Sequence, residues 1–450
     1  PPGTGKTFLI TSAAILRVLN PANLRPARQR RLFIATFSNE GAYRVYEKFY
    51  ELASQYNATN FYERIKLVQS QQARQRLAFQ RLQRIIGHDE FWIQNRCPRD
   101  RDRDGWRTFL RNILIFVGTT DSLAILSPDV RVHGIIYDEA SQLTVPQFFQ
   151  VIPDNNNIES ICVVGDDQQL PPVATLAPLS LSALTYLQGV NTYQNSPIPV
   201  SRRIELEEQY RMHPAIAQLT ENILTNNRRV IPSGDTINQN YILQNYIRRF
   251  PPNFPNQFEN DLSEILRPEH TVIILDTSNI PNALDERVLS SRRNSVEAEI
   301  AASLYFALIE NYPDIQSKDI IITAPYRAQI ELINRYSITT GTVHSYQGQE
   351  ADIVIYSLTF AERDTKSDFF SNVALMYVGL SRARKKLIII GNRDALNAND
   401  PGIQHVRNTI FCYQYLPRDP GYPHYPIDPV IHLSLNENMF EVLRTNYLHY

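Results

Sequence analysis

The sequence predicts an α/β protein with two units, each built on a parallel sheet that is covered by helices. Along the 450 residues, short apolar runs recur in two sets, and each run is followed by a polar turn and a helical pattern. Strands that are buried on both faces read as continuous apolar runs, whereas half-solvated strands alternate in polarity. Alternation of strands and helices in two blocks therefore predicts two α/β domains.

The apolar runs define the predicted strands, and the periodic segments between them define the predicted helices. The first set of strands comprises Leu32–Thr36, 112–117, Gly134–Tyr137 and 160–164, and the second comprises 271–275, 319–323, 352–358 and 387–390. Helices are predicted at Lys6–Leu19, 295–310, 327–336 and 372–382. Asn20-Pro21 ends the first helix, because proline disfavours a helical residue before it.

Two prolines, Pro197 and Pro199, separate the two sets of strands and predict a domain boundary near residues 196–201. We expect a first domain over residues 1–200, a second over 201–396 and a C-terminal tail over 397–450. The first domain is expected to carry a mostly helical, basic insertion at about 43–111. The second is expected to carry an irregular insertion at about 226–267, where no clean periodicity is present.

Composition and charge limit the function only broadly. The hydrophobic fraction is 43% and the charged fraction 20%, as in ordinary globular proteins, and the net charge of −1 gives no overall basic footprint for nucleic acid. No run of 18 apolar residues is present, so we expect no membrane partner. Three widely spaced cysteines favour an intracellular compartment, nucleus or cytoplasm, over a disulfide framework. Cys162 lies in an apolar run and is expected in the core.

A glycine-rich loop, Gly3-Thr4-Gly5-Lys6-Thr7, opens the first predicted helix. It matches the end of the pattern G-x-x-x-x-G-K-[ST], whose first glycine would precede Pro1, so we expect the chain to begin inside this loop. Glycines let backbone N–H groups curl around phosphate oxygens at the positive N-terminus of a helix. Lys6 would reach the β- and γ-phosphates, and the Thr7 hydroxyl would bind Mg²⁺. The alternative is a glycine turn that caps an ordinary helix.

Two adjacent carboxylates, Asp138 and Glu139, follow the predicted strand Gly134–Tyr137. The carboxyl ends of parallel strands are where α/β sheets bind ligands. We assign Asp138 to the Mg²⁺ that bridges the phosphates, and Glu139 to the attacking water as general base. The alternative is an acidic pair that caps the next helix, which is common in isolation but less expected downstream of a phosphate loop.

Further residues suit phosphoryl transfer. Gln168 and Gln169 follow the predicted strand 160–164, and a neutral amide can report the γ-phosphate by hydrogen bonding. Arg211, Arg382 and Arg384 carry planar, permanent charges that suit the developing phosphoryl charge. If these arginines belong to the second domain, hydrolysis requires the domains to close. Taken singly, any of them is usually a solvated surface charge, and we interpret Lys385-Lys386 in that way.

Between Pro1 and about Asn392, seven motifs read P-P-G-T-G-K-T, D-E-A-S-Q, G-D-D-Q-Q-L-P-P, Q-Y-R-M-H-P, P-Y-R-A-Q, V-H-S-Y-Q-G-Q-E-A-D and V-G-L-S-R-A-R. Together, these motifs resemble those of superfamily 1B helicases, in the Upf-type group that includes the nonsense-mediated-decay helicase and senataxin. The last motif has Gly-Leu-Ser where the family usually has Ala-Leu-Thr. The resemblance implies two RecA-like domains of P-loop NTPase type that bind ATP and Mg²⁺. It further implies a monomeric motor moving 5′ to 3′ on single-stranded RNA or DNA.

The resemblance also assigns roles residue by residue. The ATP-site residues are Gly3, Thr4, Gly5, Lys6 and Thr7 in the phosphate loop, Asp138 on Mg²⁺, Glu139 as base, Gln169 as γ-phosphate sensor, Tyr210 stacked on adenine, Arg211 and Arg382 as arginine fingers, and Gly348 and Glu350 as nucleotide contacts. The expected nucleic-acid contacts are Ser38, Asn39, Thr119, Thr120, Thr342 and His344.

Residues 61–111 are locally basic, with 12 Lys and Arg against 6 Asp and Glu. Within 61–86, Leu67, Leu77, Leu82 and Ile85 can line the other face of one amphipathic helix or a helical pair. The functional interpretation is contact with nucleic-acid phosphates, which would weaken with salt. A solvated helix face explains the same charges equally well.

The leading hypothesis is therefore an ATP-driven translocase or helicase. A second hypothesis is an ATP-switched clamp or scaffold on nucleic acid that does not unwind, and a third is a nuclease–helicase fusion. Stimulation of ATP hydrolysis by single strands distinguishes the first from the second. The third would need a nuclease metal cluster, which the 450 residues do not show.

Overall fold

A computed structural model describes most of the chain as two compact units. The described residues are 2–19, 30–98, 102–153, 158–172, 181–189, 198–224, 230–238, 240–346, 348–360, 373–396, 400–417 and 423–448. Gly5–Glu205 form one unit, here the N-terminal unit. Pro1–Thr4 together with Leu206–Tyr450 form the other, here the C-terminal unit. The predicted boundary lies partly outside the described residues.

The N-terminal unit is a six-stranded parallel sheet with helices on both faces. Its helices are α1 (Lys6–Leu19), α2 (Asn39–Gln55), α3 (Thr59–Tyr62), α4 (Leu77–Ile86), α5 (Arg103–Leu110), α6 (Thr120–Leu126), α7 (Val145–Phe149) and α8 (Ala183–Gln188). Its strands are β1 (Leu32–Thr36), β2 (Ile65–Gln69), β3 (Trp92–Gln94), β4 (Ile115–Thr119), β5 (Gly134–Tyr137) and β6 (Ser160–Val163). The strand order is β3-β2-β4-β1-β5-β6, and every pairing is parallel. This confirms the predicted α/β class.

The expectation of a mostly helical insertion at about 43–111 is corrected by the structure. Strands β2 and β3 from this range extend the central sheet beside β4. The strand at Ile65–Gln69 was not predicted, because Lys66 interrupts its apolar run. The Nζ of Lys66 donates to the carbonyl of Glu90 at 2.6 Å. Lysine can bury its stem in this way and keep its charged end in a polar environment. Only α4 carries the amphipathic helical pattern predicted for 61–86.

Strand β6 lies where it was predicted, but it is exposed rather than buried. It is the last strand of the described sheet, so one of its edges has no strand neighbour among those residues. The expectation that Cys162 is a core residue is therefore wrong, since Cys162 is exposed. A continuous apolar run indicates a parallel strand, but it does not show whether the strand is central or terminal in the sheet.

The C-terminal unit contains a second six-stranded parallel sheet, in the order β13-β12-β14-β15-β9-β16. Its helices are α9 (Pro214–Ile223), α10 (Asn256–Leu266), α11 (Ser295–Asn311), α12 (Arg327–Ile333), α13 (Val373–Leu380), α14 (Pro401–Phe411) and α15 (Glu437–Tyr447). Its strands are β7 (Glu208–Gln209), β8 (Ile231–Pro232), β9 (Val272–Asn279), β10 (Glu286–Val288), β11 (Ser291–Arg293), β12 (Ile320–Ala324), β13 (Gly341–Thr342), β14 (Ala351–Ser357), β15 (Ala383–Gly391) and β16 (Val430–Asn436).

The segments expected as an irregular insertion and as a C-terminal tail both contribute helices or strands to this unit. The segment predicted as a tail contributes β16, which pairs in parallel register with β9, and α15, whose Leu443 is fully buried in the core. The sequence did not reveal β16 because alternate residues of this terminal strand are solvated. The expected irregular insertion contains α10, whose Leu262, Ile265 and Leu266 are also fully buried. Among the described residues, no helix is long and apolar enough to cross a bilayer.

Lys386 on β15 is a buried charge that stabilises the end of α10. Its Nζ donates to the carbonyls of Ile265, Arg267 and His270 at 3.1, 2.8 and 2.5 Å. The last carbonyls of a helix have no N–H partner within the helix, so this lysine satisfies groups that would otherwise be buried without a donor. Burial lowers the pKa of Lys386 to about 7, against an opposing effect of Glu269. The interpretation of Lys386 as a solvated surface charge was therefore wrong.

Replacing Lys386 by methionine is expected to reduce the free energy of unfolding by about 3 kcal/mol, because three buried carbonyls lose their donor. Denaturant titrations followed by circular dichroism measure the change. Lys385→Met is the matched control. Its ion pair with Asp352 at 3.0 Å is partly solvated, and we expect a loss below about 1 kcal/mol. Equal losses in the two variants would contradict the role given to Lys386.

Candidate functional site

The carboxyl edge of the N-terminal sheet brings together the residues predicted to handle phosphate. Asp138 directly follows β5, and its backbone N–H donates to the carbonyl of Ala35 on β1 at 2.9 Å. Its side chain is buried, and burial together with the Glu139 charge raises its pKa to about 6. Arg44 and Lys6 act in the opposite direction and lower this pKa. A carboxylate at this position provides oxygen atoms of the kind that Mg²⁺ takes as ligands.

Glu139 has an unusual backbone conformation, with φ of +54°, a region that residues other than glycine rarely adopt. Its N–H donates to Oδ1 of Asp138 at 2.9 Å. Its Oε1 lies 3.3 Å from Nη2 of Arg44 on α2. The two adjacent acids thus differ in environment: Asp138 is buried, whereas the Glu139 side chain is one-fifth exposed and paired with an arginine.

Gly5, Lys6 and Thr7 lie at the start of α1, within the same unit. Gly5 has φ of +73°, and its carbonyl accepts the N–H of Leu9 at 2.9 Å, which begins the helix. Lys6 is close enough to lower the pKa of Asp138. A carboxylate, a hydroxyl and a helix N-terminus match what Mg²⁺ and phosphate need, since Mg²⁺ takes few protein oxygens and completes its shell with phosphates and water. Accordingly, the described residues contain no closed cluster of His, Cys, Asp or Glu ligands.

Gln169 is held by a buried aspartate rather than left mobile. Its Nε2 donates to Oδ2 of Asp166 at 3.1 Å, and its backbone N–H donates to the carbonyl of Asp166. Asp166 is 3% exposed and follows β6, the neighbour of the strand that carries Asp138. The sensor predicted from the sequence therefore lies at the same sheet edge as the two acids.

The first predicted nucleic-acid contacts share the carboxyl edges of β1 and β4, where Thr36 pairs with Thr119. Ser38 caps α2 by accepting the N–H of Gly41 at 3.0 Å, and Thr119 caps α6 by accepting that of Ser122. Both hydroxyls lie at helix N-termini, where phosphate oxygens are favoured. The Thr120 side chain is 2% exposed, and Asn39 is half-buried.

In the C-terminal unit, the predicted arginine fingers surround one carboxylate, that of Glu350. Arg211 forms an ion pair with Glu350, and its Nη1 donates to the carbonyl of Ser381 at 3.4 Å. Burial would raise the pKa of Glu350, but the charges of Arg211, Arg384 and Arg382 hold it below its usual value. Three arginines around one carboxylate leave this region with an excess of positive charge, which favours the binding of anions.

Arg382 is 2% exposed and fixed by the backbone around it. Its Nε donates to the carbonyl of Val378 at 2.7 Å, and its Nη1 donates to that of Gln349 at 3.1 Å. These bonds connect the turn after α13 to the segment that carries Glu350. The guanidinium is therefore held in one orientation, which suits a charge that must be in place before a reaction begins.

Tyr210 and the first residues of the chain are neighbours in the C-terminal unit. The Tyr210 ring is half exposed, its hydroxyl donates to Glu208 at 2.6 Å, and its N–H donates to the carbonyl of Gly3 at 2.9 Å. Gly3 has φ of +72°, and a Cβ there would lie 2.6 Å from Cβ of Arg211, so no larger residue fits. Gly3 and Thr4 thus belong to the C-terminal unit, whereas Gly5, Lys6 and Thr7 belong to the N-terminal unit.

The remaining predicted residues lie beside β13 and before β14. The Thr342 carbonyl accepts from the N–H and Oγ of Ser345, which forms a turn that leaves His344 exposed. Gly348 has φ of +80° in the loop that leads to Glu350. Gln347, named in the same motif, lies outside the described residues.

Sequence reasoning gave no definite role to three charged residues that shape the two regions, namely Arg44, Asp166 and Arg384. Arg44 lies three residues after Gly41 on α2, so the two share a helix face, but nothing in the sequence connects that face with Glu139. Asp166 was visible in the predicted motif but received no role. The proximity of Arg384 to Glu350 comes from the tertiary fold, and no sequence signal predicts it.

Known protein families match the two parts of the chain that contain these residues. Two family models, both described as AAA domains, match residues 1–175 and 190–394. The DNA replication ATP-dependent helicase/nuclease JHS1 of Arabidopsis thaliana is 27% identical over 275 residues, which cover 59% of this chain and 19% of that protein. Helicase sen1 of Schizosaccharomyces pombe is 26% identical over 280 residues, which cover 59% of this chain and 15% of that protein. The chain thus spans less than a fifth of either relative.

A solved structure, the arterivirus nonstructural protein 10 helicase in complex with DNA, superposes with a TM-score of 0.40 and 12% identity over 87% of this chain and 59% of that one. The two parallel sheets and the two matching AAA domains agree with the motifs. The chain contains AAA domains of the superfamily 1 helicase type and has distant homology to the Sen1 and DNA2 helicases of the Upf1-like branch.

Proposed function

We propose that this chain is the ATPase motor of a helicase that translocates 5′ to 3′ along single-stranded RNA or DNA. The observation that carries the proposal is the meeting of Lys6, Asp138 and Glu139 at the start of α1 and the carboxyl edge of a parallel sheet. That combination provides a cation for phosphates, an oxygen ligand for a metal and a base for water. Polarity and substrate follow from the resemblance to superfamily 1B helicases.

In the proposed mechanism, Lys6 and the N–H groups at the start of α1 bind the β- and γ-phosphates of ATP. Mg²⁺, held by Asp138 and Thr7, would neutralise phosphate charge when bound. Glu139 accepts the proton of the attacking water, and Gln169, fixed by Asp166, hydrogen-bonds near the γ-phosphate.

Arg211 and Arg382 provide positive charge that stabilises the negative charge developing on the transferred γ-phosphoryl group. We propose that they act on the triphosphate bound by the N-terminal unit, with Tyr210 stacking on adenine and Gly348 and Glu350 contacting the nucleotide. The hydrolysis step would then require closure of the two motor domains, which we place at residues 1–200 and from 201 onward. Movement along the strand follows from that cycle of closure and opening.

The proposed path of the nucleic acid runs over helix N-termini and exposed polar side chains. Ser38, Asn39 and Thr119 are the contacts proposed in the N-terminal unit, and Thr342 and His344 those in the C-terminal unit. Hydroxyl and backbone contacts of this kind bind phosphate without reading bases, so binding should weaken with salt. We propose a monomeric motor, as the resemblance implies, that works inside the cell, because three widely spaced cysteines suit a reducing compartment.

Replacing Glu139 by glutamine is expected to abolish ATP hydrolysis, with a loss of at least about 10²-fold, while ATP binding is retained. Glutamine keeps the shape of the side chain but cannot accept the proton of water. Release of phosphate measures hydrolysis, and fluorescence anisotropy of a labelled nucleotide measures binding. Retained turnover would refute the role of Glu139 as base.

Replacing Arg382 by alanine is expected to lower kcat by about 10³-fold, in the range known for arginine fingers. Thermal unfolding must accompany the kinetics, because Arg382 also bonds backbone carbonyls. Arg248→Ala, at a half-exposed arginine of the same unit outside the helicase motifs, is the control and should leave kcat unchanged. A folded Arg382→Ala protein with less than tenfold loss would exclude the proposed role.

A further inference from the structure

The carboxylate of Glu139 lies against one helix, α2, and forms an ion pair with an arginine of that helix. Its Oε1 lies 3.3 Å from Nη2 of Arg44. Its Oε2 faces Gly41 in the first turn, where a Cβ would stand 3.6 Å from that oxygen and 3.3 Å from Oγ of Ser38. Gly41 and Arg44 are three residues apart and share a helix face. The residue proposed as base thus rests in a recess formed by α2.

The same helix begins at the proposed nucleic-acid contacts. Ser38 is its N-cap and Asn39 its first residue. Thr36 fixes the entry to the helix, because its Oγ1 donates to the carbonyl of Ser38 at 2.8 Å. Since α-helices rise 1.5 Å per residue, Arg44 lies only about 9 Å along the axis from Ser38. A phosphate bound at the start of α2 would therefore act on Arg44 within about one Debye length.

A phosphate bound at the start of α2 can also compete with Glu139 for Arg44. The two side chains are 35% and 20% exposed, so solvent screens their attraction and an exchange of partners costs little. The Nε of Arg44 donates to the carbonyl of Glu40 at 3.3 Å, which anchors the base of the guanidinium on α2 while its end reaches Glu139. A small displacement of the first turn would move both contacts of Glu139 together.

We propose that Arg44 is a positioning residue that holds Glu139 against α2 until nucleic acid binds, and thereby restrains ATP hydrolysis by the free protein. A strand bound at Ser38 and Asn39 draws Arg44 toward its phosphates and releases Glu139 to orient water. The inference rests on the proposed function and specifies how the nucleic-acid site and the ATP site of the N-terminal unit communicate.

Steady-state ATP hydrolysis of the full chain, with and without a single-stranded oligonucleotide, tests this inference. In Arg44→Gln, we expect hydrolysis without nucleic acid to rise about fivefold, which corresponds to loss of a restraint of about 1 kcal/mol. Hydrolysis at saturating oligonucleotide should stay within about twofold of wild type, so the stimulation ratio falls. Arg44→Lys should restore most of the ratio, because it keeps the charge.

The control is Lys48→Gln, which removes one positive charge from the same helix at a residue paired with Glu51 rather than Glu139. It should leave the stimulation ratio unchanged. A stimulated wild type whose ratio is the same in Arg44→Gln would overturn this inference alone, as would a parallel fall of both rates. A wild type whose hydrolysis nucleic acid does not stimulate would overturn the proposed motor and this inference together, and would favour an ATP-switched clamp.

A binding measurement without hydrolysis provides an independent test. Coupling between two sites is reciprocal, so breaking the pair from the Glu139 side should tighten oligonucleotide binding in the absence of nucleotide. We expect Glu139→Gln to bind about threefold more tightly than wild type, and to lose this gain in an Arg44→Gln background. If Glu139→Gln tightens oligonucleotide binding equally in the wild-type and the Arg44→Gln protein, the gain in affinity reflects only the removed negative charge. That result would contradict the proposed pairing.

Discussion

Parallel strand pairing in register is the constraint on which the N-terminal site depends. Thr36 of β1 pairs with Thr119 of β4, and Ala35 of β1 pairs with Tyr137 of β5. The residues that follow these strands must therefore emerge at one edge of the sheet, although they are far apart in sequence. Helices cover both faces, so this edge is where polar groups from successive loops meet. Asp138, Glu139, Ser38 and Thr119 owe their proximity to that register.

Each unit also balances its charges without a nucleotide. In the N-terminal unit, Lys6 and Arg44 offset the buried Asp138 and its neighbour Glu139. In the C-terminal unit, Glu350 is offset by Arg211, Arg382 and Arg384. Under the proposed function, a triphosphate would bring several negative charges and Mg²⁺ positive ones, so binding would replace some of these internal partners.

Much of the fold and of the candidate site could be predicted from the sequence, because the information is local. Continuous apolar runs predicted the strands β1, β5 and β12, and the glycine loop predicted the start of α1. The adjacent acids after β5 needed only the rule that loops at carboxyl edges bind ligands. The apolar-run pattern did not predict β2, which carries the charged Lys66, or β16, whose residues alternate in polarity. Tertiary contacts place these two segments in the sheets.

The wrong assignments of individual residues also arise from tertiary contacts that the sequence does not show. Lys386 reads as one of several surface charges, and only the packing of α10 against β15 makes it a buried helix cap. Arg44 reads as an ordinary helix charge, and only the left-handed backbone of Glu139 aims the carboxylate at it. Such pairings depend on the approach of elements that are distant in sequence. Single-sequence patterns contain no information on that approach.

The most direct test of the central claim, that the start of α1 and the acidic edge form an ATP site, is the affinity for nucleotide after removal of the Lys6 charge. Isothermal titration of Mg²⁺–ATP into wild-type protein and Lys6→Ala measures it. The account predicts a loss of about 10- to 100-fold, as expected for one charge-assisted phosphate contact, and no change in Lys48→Ala. Equal affinity of wild type and Lys6→Ala would contradict it.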